Sequence, residues 1–161
     1  MIVYEATKQQ FLKDTDNDDI EDVILAHFTA RTGKRVDDRR SSRGKVARYM
    51  AKVLRDEAFP GDTGLAIELH IPQSSKCIDF TLTGRDELGG KNAVLVELKQ
   101  WSTAKATAKD AIVVTALGKD FARPSYQALV LRLPPGGFNE RVRPEHRRPP
   151  CAYLHNYVAT A

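Results

Sequence analysis

Asp79, Glu97 and Lys99 are the residues of this 161-residue sequence whose types and spacing best suit chemistry. Glu97 and Lys99 close residues 93–99, which read as a buried strand. Side chains alternate along a strand, so Val94, Val96 and Leu98 point one way and Leu95, Glu97 and Lys99 the other. Ionised groups are costly to desolvate without partners, so a charged pair at such a strand end calls for compensation. Residues 76–82 offer it, with Ile78, Phe80 and Leu82 on an apolar face and Asp79 opposite. If the two runs pair as a hairpin through the polar loop 84–92, Asp79 and Glu97 share one face beside Lys99. Two carboxylates and a lysine so placed suit a hard divalent cation, Mg²⁺ or Mn²⁺, which takes oxygen ligands and keeps several waters. The same residues also fit a half-exposed sheet on which Lys99 merely neutralises both acids. An E-x-K tripeptide alone does not separate the two readings.

The elements that must position these residues begin with an acidic segment containing Asp14, Asp16, Asp18, Asp19, Glu21 and Asp22. Asp18 or Asp19 suits the cap of a helix over residues 20–31, with its carboxylate near the positive end of the helix dipole. Ile20, Val23, Ile24 and Phe28 have helical spacing for a buried face, and Gly33 is a stop. Glu21, in the first turn, suits either a surface acid or a reach toward a metal site on an adjacent sheet. His27 reads as structural. Between Arg31 and Arg55 the charge reverses, with residues 37–44 reading as a loop and residues 45–56 as a second helix. Val46, Tyr49, Met50, Val53 and Leu54 form its apolar stripe. Lys45, Arg48, Lys52 and Arg55 gather on the other side, either as a solvated face or as a stripe that holds phosphates.

Pro60, Gly61, Asp62 and Gly64 then break the helix. Residues 65–71 alternate as a strand with Glu68 and His70 on its polar side, where Glu68 either faces solvent or borders the site. Residues 72–75 read as a turn, giving three strands in meander order. Residues 112–115 suggest a short edge strand, Pro124 to Gln127 a helix start with Ser125 as N-cap, and residues 151–158 a last strand.

The composition, 42% apolar and 29% charged, is that of one soluble globular domain long enough to bury a core. No stretch approaches the roughly 18 consecutive apolar residues of a membrane helix. Met1 to Glu5 lacks the regions of a signal peptide, and Cys77 and Cys151 are too few and too far apart for a disulfide framework or a zinc site, so the expectation is a reduced, cytoplasmic setting without membrane contact. The net charge of +4 permits a nucleic-acid partner without demanding one. A Walker-type G-x-x-x-x-G-K-[ST] nucleotide loop is absent from the sequence.

The order helix, three strands, helix, strand, with Asp79 on the second strand and Glu97-Leu98-Lys99 on the third, resembles the PD-(D/E)XK nuclease superfamily. More narrowly, residues 66–68, 71–80, 96–101, 125–127 and 151–157 resemble the N-terminal nuclease-like domain of bacterial ATPases described as Schlafen-like DNA/RNA helicases. The likeness spans nearly the whole chain and is strongest over residues 64–101. It implies an α/β (α+β) fold with a restriction-endonuclease-like core, a mixed central sheet flanked by helices. One domain over 1–161 would comprise a helical part (14–58), a three-stranded catalytic core (63–101) and a final helix, Pro/Arg-rich loop and strand (124–161). The resemblance makes Asp79, Glu97 and the Leu98 carbonyl the Mg²⁺ or Mn²⁺ ligands and Lys99 the catalytic lysine. It also makes Gln127 a supporting glutamine and Glu21 an auxiliary acid on the first helix. The implied partners are DNA or RNA, an ATPase or helicase domain and a second copy of the chain.

The implied activity is metal-dependent phosphodiester hydrolysis; the alternative is a non-catalytic module that binds nucleic acid or serves an ATPase. Ile78 stands where the superfamily motif has proline, and Leu131 where branches with the glutamine often have tyrosine. Residues 37–43 and 131–150 depart from the close group. No ATPase follows in the sequence, so the expectation is a fragment or a stand-alone relative.

Overall fold

The computed structural model describes residues 2–33, 40–70, 77–85, 87–115, 118–131 and 150–157. The chain opens with β1 (Ile2–Thr7), α1 (Lys8–Asp16), α2 (Ile20–Thr32) and α3 (Arg40–Leu54). The meander follows as β2 (Gly64–His70), β3 (Cys77–Arg85) and β4 (Lys91–Lys99). Three short strands, β5 (Ala104–Ala106), β6 (Ile112–Thr115) and β7 (Asp120–Ala122), lead to α4 (Pro124–Leu131) and β8 (Pro150–Leu154). The fold is mixed α+β, with a five-stranded sheet in the order β1-β2-β3-β4-β8. Neighbours run antiparallel except β4 and β8, which are parallel. A parallel pair requires a crossover connection, and α4 lies on that crossover and packs on both β4 and β8.

Alternation along β2, β3 and β4 creates the core. Leu65 pairs with Leu82, Ile67 with Phe80, and Phe80 with Val96, giving a continuous apolar row across three strands. These residues and Leu98 join Phe11, Ile20, Ile24, Phe28, Ala47, Met50 and Leu54 in one buried cluster, so α1, α2 and α3 cover that face of the sheet. The Phe11 and Phe80 rings meet edge to face, with centroids 5.8 Å apart. Lys8, at the start of α1, is buried and donates through Nζ to the carbonyls of Asp56 (2.9 Å) and Phe59 (2.6 Å). It thereby satisfies backbone acceptors just beyond the end of α3. Burial pushes the Tyr4 hydroxyl pKa up, and its hydrogen bond to Asp14 (2.7 Å) and that residue's charge push the same way.

Several sequence expectations shift. β1 and α1 are additional elements. The helix expected over residues 45–56 begins at Arg40, so residues 40–44 are helical and not loop. A Cβ at Gly44 would meet the Glu21 carboxylate of α2, the end of a flexible side chain that can swing aside. Asp19 is the α2 N-cap, yet its side chain makes no capping bond. Residues 112–115 form the middle strand of a separate β5-β6-β7 sheet and not an edge. Pro124 is the first helical residue of α4, where its missing N–H costs nothing, so Ser125 lies inside the helix and is not its cap. The expected turn at 72–75 and most of the Pro/Arg-rich stretch lie outside the described residues. His27 packs its ring against Tyr4, with centroids 5.8 Å apart. Among the described residues no helix is long and apolar enough to cross a membrane.

Phe80 is fully buried at the centre of this core. Phe80→Ala should destabilise the protein by about 3–5 kcal/mol in urea unfolding. Leu88→Ala, at an exposed position, should stay within about 0.5 kcal/mol of the parent. Equal effects of the two would refute this placement of the core.

Candidate functional site

The β3–β4 ladder runs from Arg85↔Lys91 to Phe80↔Val96 and stops there. Beyond it the strands no longer pair, and Asp79 Oδ2 accepts the Leu98 backbone N–H at 2.9 Å. A side-chain carboxylate has replaced the next ladder acceptor. Leu98 N–H therefore points into the opening between β3 and β4. On an antiparallel strand the amide and carbonyl of one residue face the same neighbour, so the Leu98 carbonyl faces that opening as well. On its other edge β4 pairs with β8 through Lys99↔Leu154, which keeps this strand end inside the sheet.

Glu97 is buried, and its Oε1 accepts from Lys99 Nζ at 2.6 Å. Asp79 lies within electrostatic reach of both. Burial raises its pKa from 3.8 to about 6, with the charges of Glu97 and Glu68 adding to the rise. The Leu98 hydrogen bond and the Lys99 charge oppose it. The structure thus brings Asp79, Glu97, Lys99 and the Leu98 backbone together. Two carboxylates and a carbonyl make an all-oxygen donor set, and the mutual repulsion of the acids is what a hard divalent cation would relieve.

Glu68 departs from its expected place on the polar face. It is 9% exposed, and its φ of 50° puts a non-glycine residue in the left-handed region, a local strain of about 1–3 kcal/mol. Arg43, 3% exposed, meets Glu68 Oε2 at 2.8 Å while its guanidinium lies 4.3 Å from the Phe28 ring centroid. Beyond this kink Leu69 packs with Ile78 and Leu95 in a second small cluster. Leu95 alternates with Val94 and Val96, so this cluster occupies the far side of the sheet. Ile78 belongs to it and not, as its spacing suggested, to the cluster of Phe80 and Leu82.

The remaining candidates lie elsewhere or are already engaged. Glu21 pairs with Arg48 and is absent from the charges acting on Asp79. Gln127 donates to the Ala122 carbonyl at 2.9 Å, which ties it to the β7–α4 junction. In the basic stripe of α3, Arg48 is taken by Glu21 and Arg55 by Asp16, so half of it is neutralised internally. Lys45 and Lys52 are exposed, and Lys52 lies over the Tyr49 ring at 5.3 Å. Tyr49 stacks on His155 (3.6 Å between centroids) and donates to Asn156 (3.2 Å), fixing α3 to the chain just past β8. Sequence reasoning missed Arg43. The signal was present: Arg43 shares the helical face of Ala47, Met50 and Leu54, visible once the helix is extended back to Arg40.

The chain matches no protein-family model, no curated protein and no solved structure.

The raised pKa of Asp79 has a definite signature in stability. In the folded protein Asp79 holds its proton up to about pH 6, whereas an unfolded carboxyl releases it near 3.8. The contribution of Asp79 is therefore fully present below about pH 4 and is lost as pH rises through about 6. In EDTA, the stability of Asp79→Asn relative to the parent should rise by on the order of 1–3 kcal/mol across that window and then level off. Urea unfolding at a series of pH values checks this; parallel profiles for variant and parent would refute it.

Proposed function

We propose that this protein is a metal-dependent phosphodiesterase acting on nucleic acid, with a restriction-endonuclease-like core. The observation that carries the reading is the meeting of Asp79, Glu97 and Lys99 where β3 parts from β4. Asp79, Glu97 and the Leu98 carbonyl would hold Mg²⁺ or Mn²⁺. When bound, such an ion polarises a phosphate oxygen and lowers the pKa of its water.

The chain's own residues supply the rest. In hydrolysis a water oxygen bonds to phosphorus as a bridging P–O bond breaks, and negative charge grows on the phosphoryl oxygens. Lys99, fixed by Glu97, is a preorganised cation for that charge. The Leu98 N–H orients Asp79, and Arg43 compensates the nearby Glu68. Lys45 and Lys52 are exposed cations of α3 suited to phosphates, which supply affinity without sequence information. DNA or RNA is the substrate class, and an ATPase or a second copy of the chain remains a proposed partner.

The test incubates the purified chain with labelled single- and double-stranded DNA and RNA in Mg²⁺, Mn²⁺ or EDTA. Cleavage should require the metal and vanish in Glu97→Ala, while Lys99→Ala should lose about 10²–10³-fold in rate. Binding without cleavage under every condition would refute the hydrolase and favour a non-catalytic nucleic-acid module.

A further inference from the structure

A second cluster of metal-ligating groups lies on the β2–β3 hairpin, outside the Asp79–Glu97–Lys99 constellation. Glu68 and His70 are two residues apart on β2, and Cys77 opens β3 directly opposite His70 in the register. One ligand atom from each, a carboxylate oxygen, an imidazole nitrogen and the thiol sulfur, all lie within 4.8 Å of one another. In a tetrahedral zinc site, bond lengths of 2.0–2.3 Å separate ligand atoms by about 3.3–3.7 Å, so rotamer adjustments of the order of 1 Å would close this group on an ion. The left-handed backbone at Glu68 sets the direction of its side chain. His70 Nε2 is 3.7 Å from Glu68 Oε2.

We propose that Glu68, His70 and Cys77 bind one borderline-soft divalent cation of the zinc class. The donor chemistry chooses the class. Thiolate and imidazole suit Zn²⁺ and Co²⁺, whereas Mg²⁺ takes oxygen donors. The site is thereby chemically distinct from the all-oxygen set at Asp79 and Glu97. Binding converts the Cys77 thiol to a thiolate and releases its proton to solvent. A carboxylate has two oxygens and several lone pairs, so Glu68 can serve Arg43 and the cation together. Arg43, itself buried, then fixes the orientation of a ligand in the way outer partners do at metal sites. Three protein ligands leave a coordination position for water.

Cobalt titration reads this site directly. The full chain, reduced and freed of metal with EDTA that is then removed, is titrated with Co²⁺ while the thiolate-to-cobalt charge-transfer absorption is followed. The expected result is one equivalent bound with that band and its loss when Zn²⁺ is added. Cys77→Ser should abolish the band, and His70→Ala should weaken binding by at least about 10–100-fold. Cys151→Ser, on β8, should leave it unchanged, and the band should persist in Asp79→Ala and Glu97→Ala, so this proposal stands or falls separately from the hydrolytic one. Saturating Zn²⁺ should also protect Cys77 of the unmutated chain from alkylation, a readout that needs no variant to fold. Absence of the band in the unmutated chain, its persistence in Cys77→Ser, or alkylation of Cys77 at the same rate with zinc would each overturn the site.

Discussion

Three carboxylates converge at one end of the central sheet, and two cations hold them. The charges of Glu97 and Glu68 act on the buried Asp79, while Lys99 bonds Glu97 and Arg43 bonds Glu68. Asp79 has no cation of its own at bonding distance among the described contacts; it has a backbone amide. With all five groups ionised the cluster carries one excess negative charge. That excess, together with burial, holds Asp79 near the midpoint of its titration at mildly acidic pH. A buried group of this kind does not stabilise a fold on its own account, since desolvation offsets the Coulomb attraction. The core around Phe80 must supply the stability that this end of the sheet lacks.

The strand order explains how the charges can be kept together. β3 and β4 pair tightly where they carry Leu82, Val94, Phe80 and Val96, then separate as soon as the apolar row ends. The separation exposes the Leu98 amide, which a regular ladder would have used, and Asp79 satisfies it. β8 pairs with β4 on the opposite edge over the same residues, from Val96 to Lys99, so opening one side of β4 does not leave it unsupported. The covering helices contribute differently. α3 supplies Arg43 from below Glu68 and, through Tyr49, grips the chain beyond β8. Glu21 of α2 lies beside Gly44 of α3 and meets Arg48, and two prospective functional residues become part of a helix contact.

How much of this was legible in the sequence follows from which signals were local. β2 and β3 declare themselves by the alternation of Leu65 with Ile67 and of Phe80 with Leu82, and β4 by a near-continuous apolar run, the mark of a strand covered on both faces. β1 does not, because Val3 and Tyr4 are successive and both buried, so the period is absent. α1 carries only Phe11 and Leu12 as large apolar residues among polar ones, too few for a stripe. Asp79, Glu97 and Lys99 were readable as charges misplaced on strand ends. Glu68 was not: period 2 assigns it to the polar face, and only a left-handed φ, rare for glutamate, turns it inward. Arg43 was obscured by serines and a glycine that suggest a loop, although its helical phase with Met50 marks it as buried.

Glu68 also joins the two side-chain clusters. It raises the pKa of Asp79 by its charge, takes the Arg43 guanidinium, and lies beside His70 and Cys77. A residue with one such partner can be read as a neutralised accident of packing. One that acts on all three is a junction, because any change in its charge alters the field at each. A cation held by His70 and Cys77 would screen Glu68 and lessen the negative field at Asp79, and the loss of Arg43 would do the reverse. The sign of the coupling follows from Coulomb's law alone, and burial lets it persist over a distance at which water would screen it.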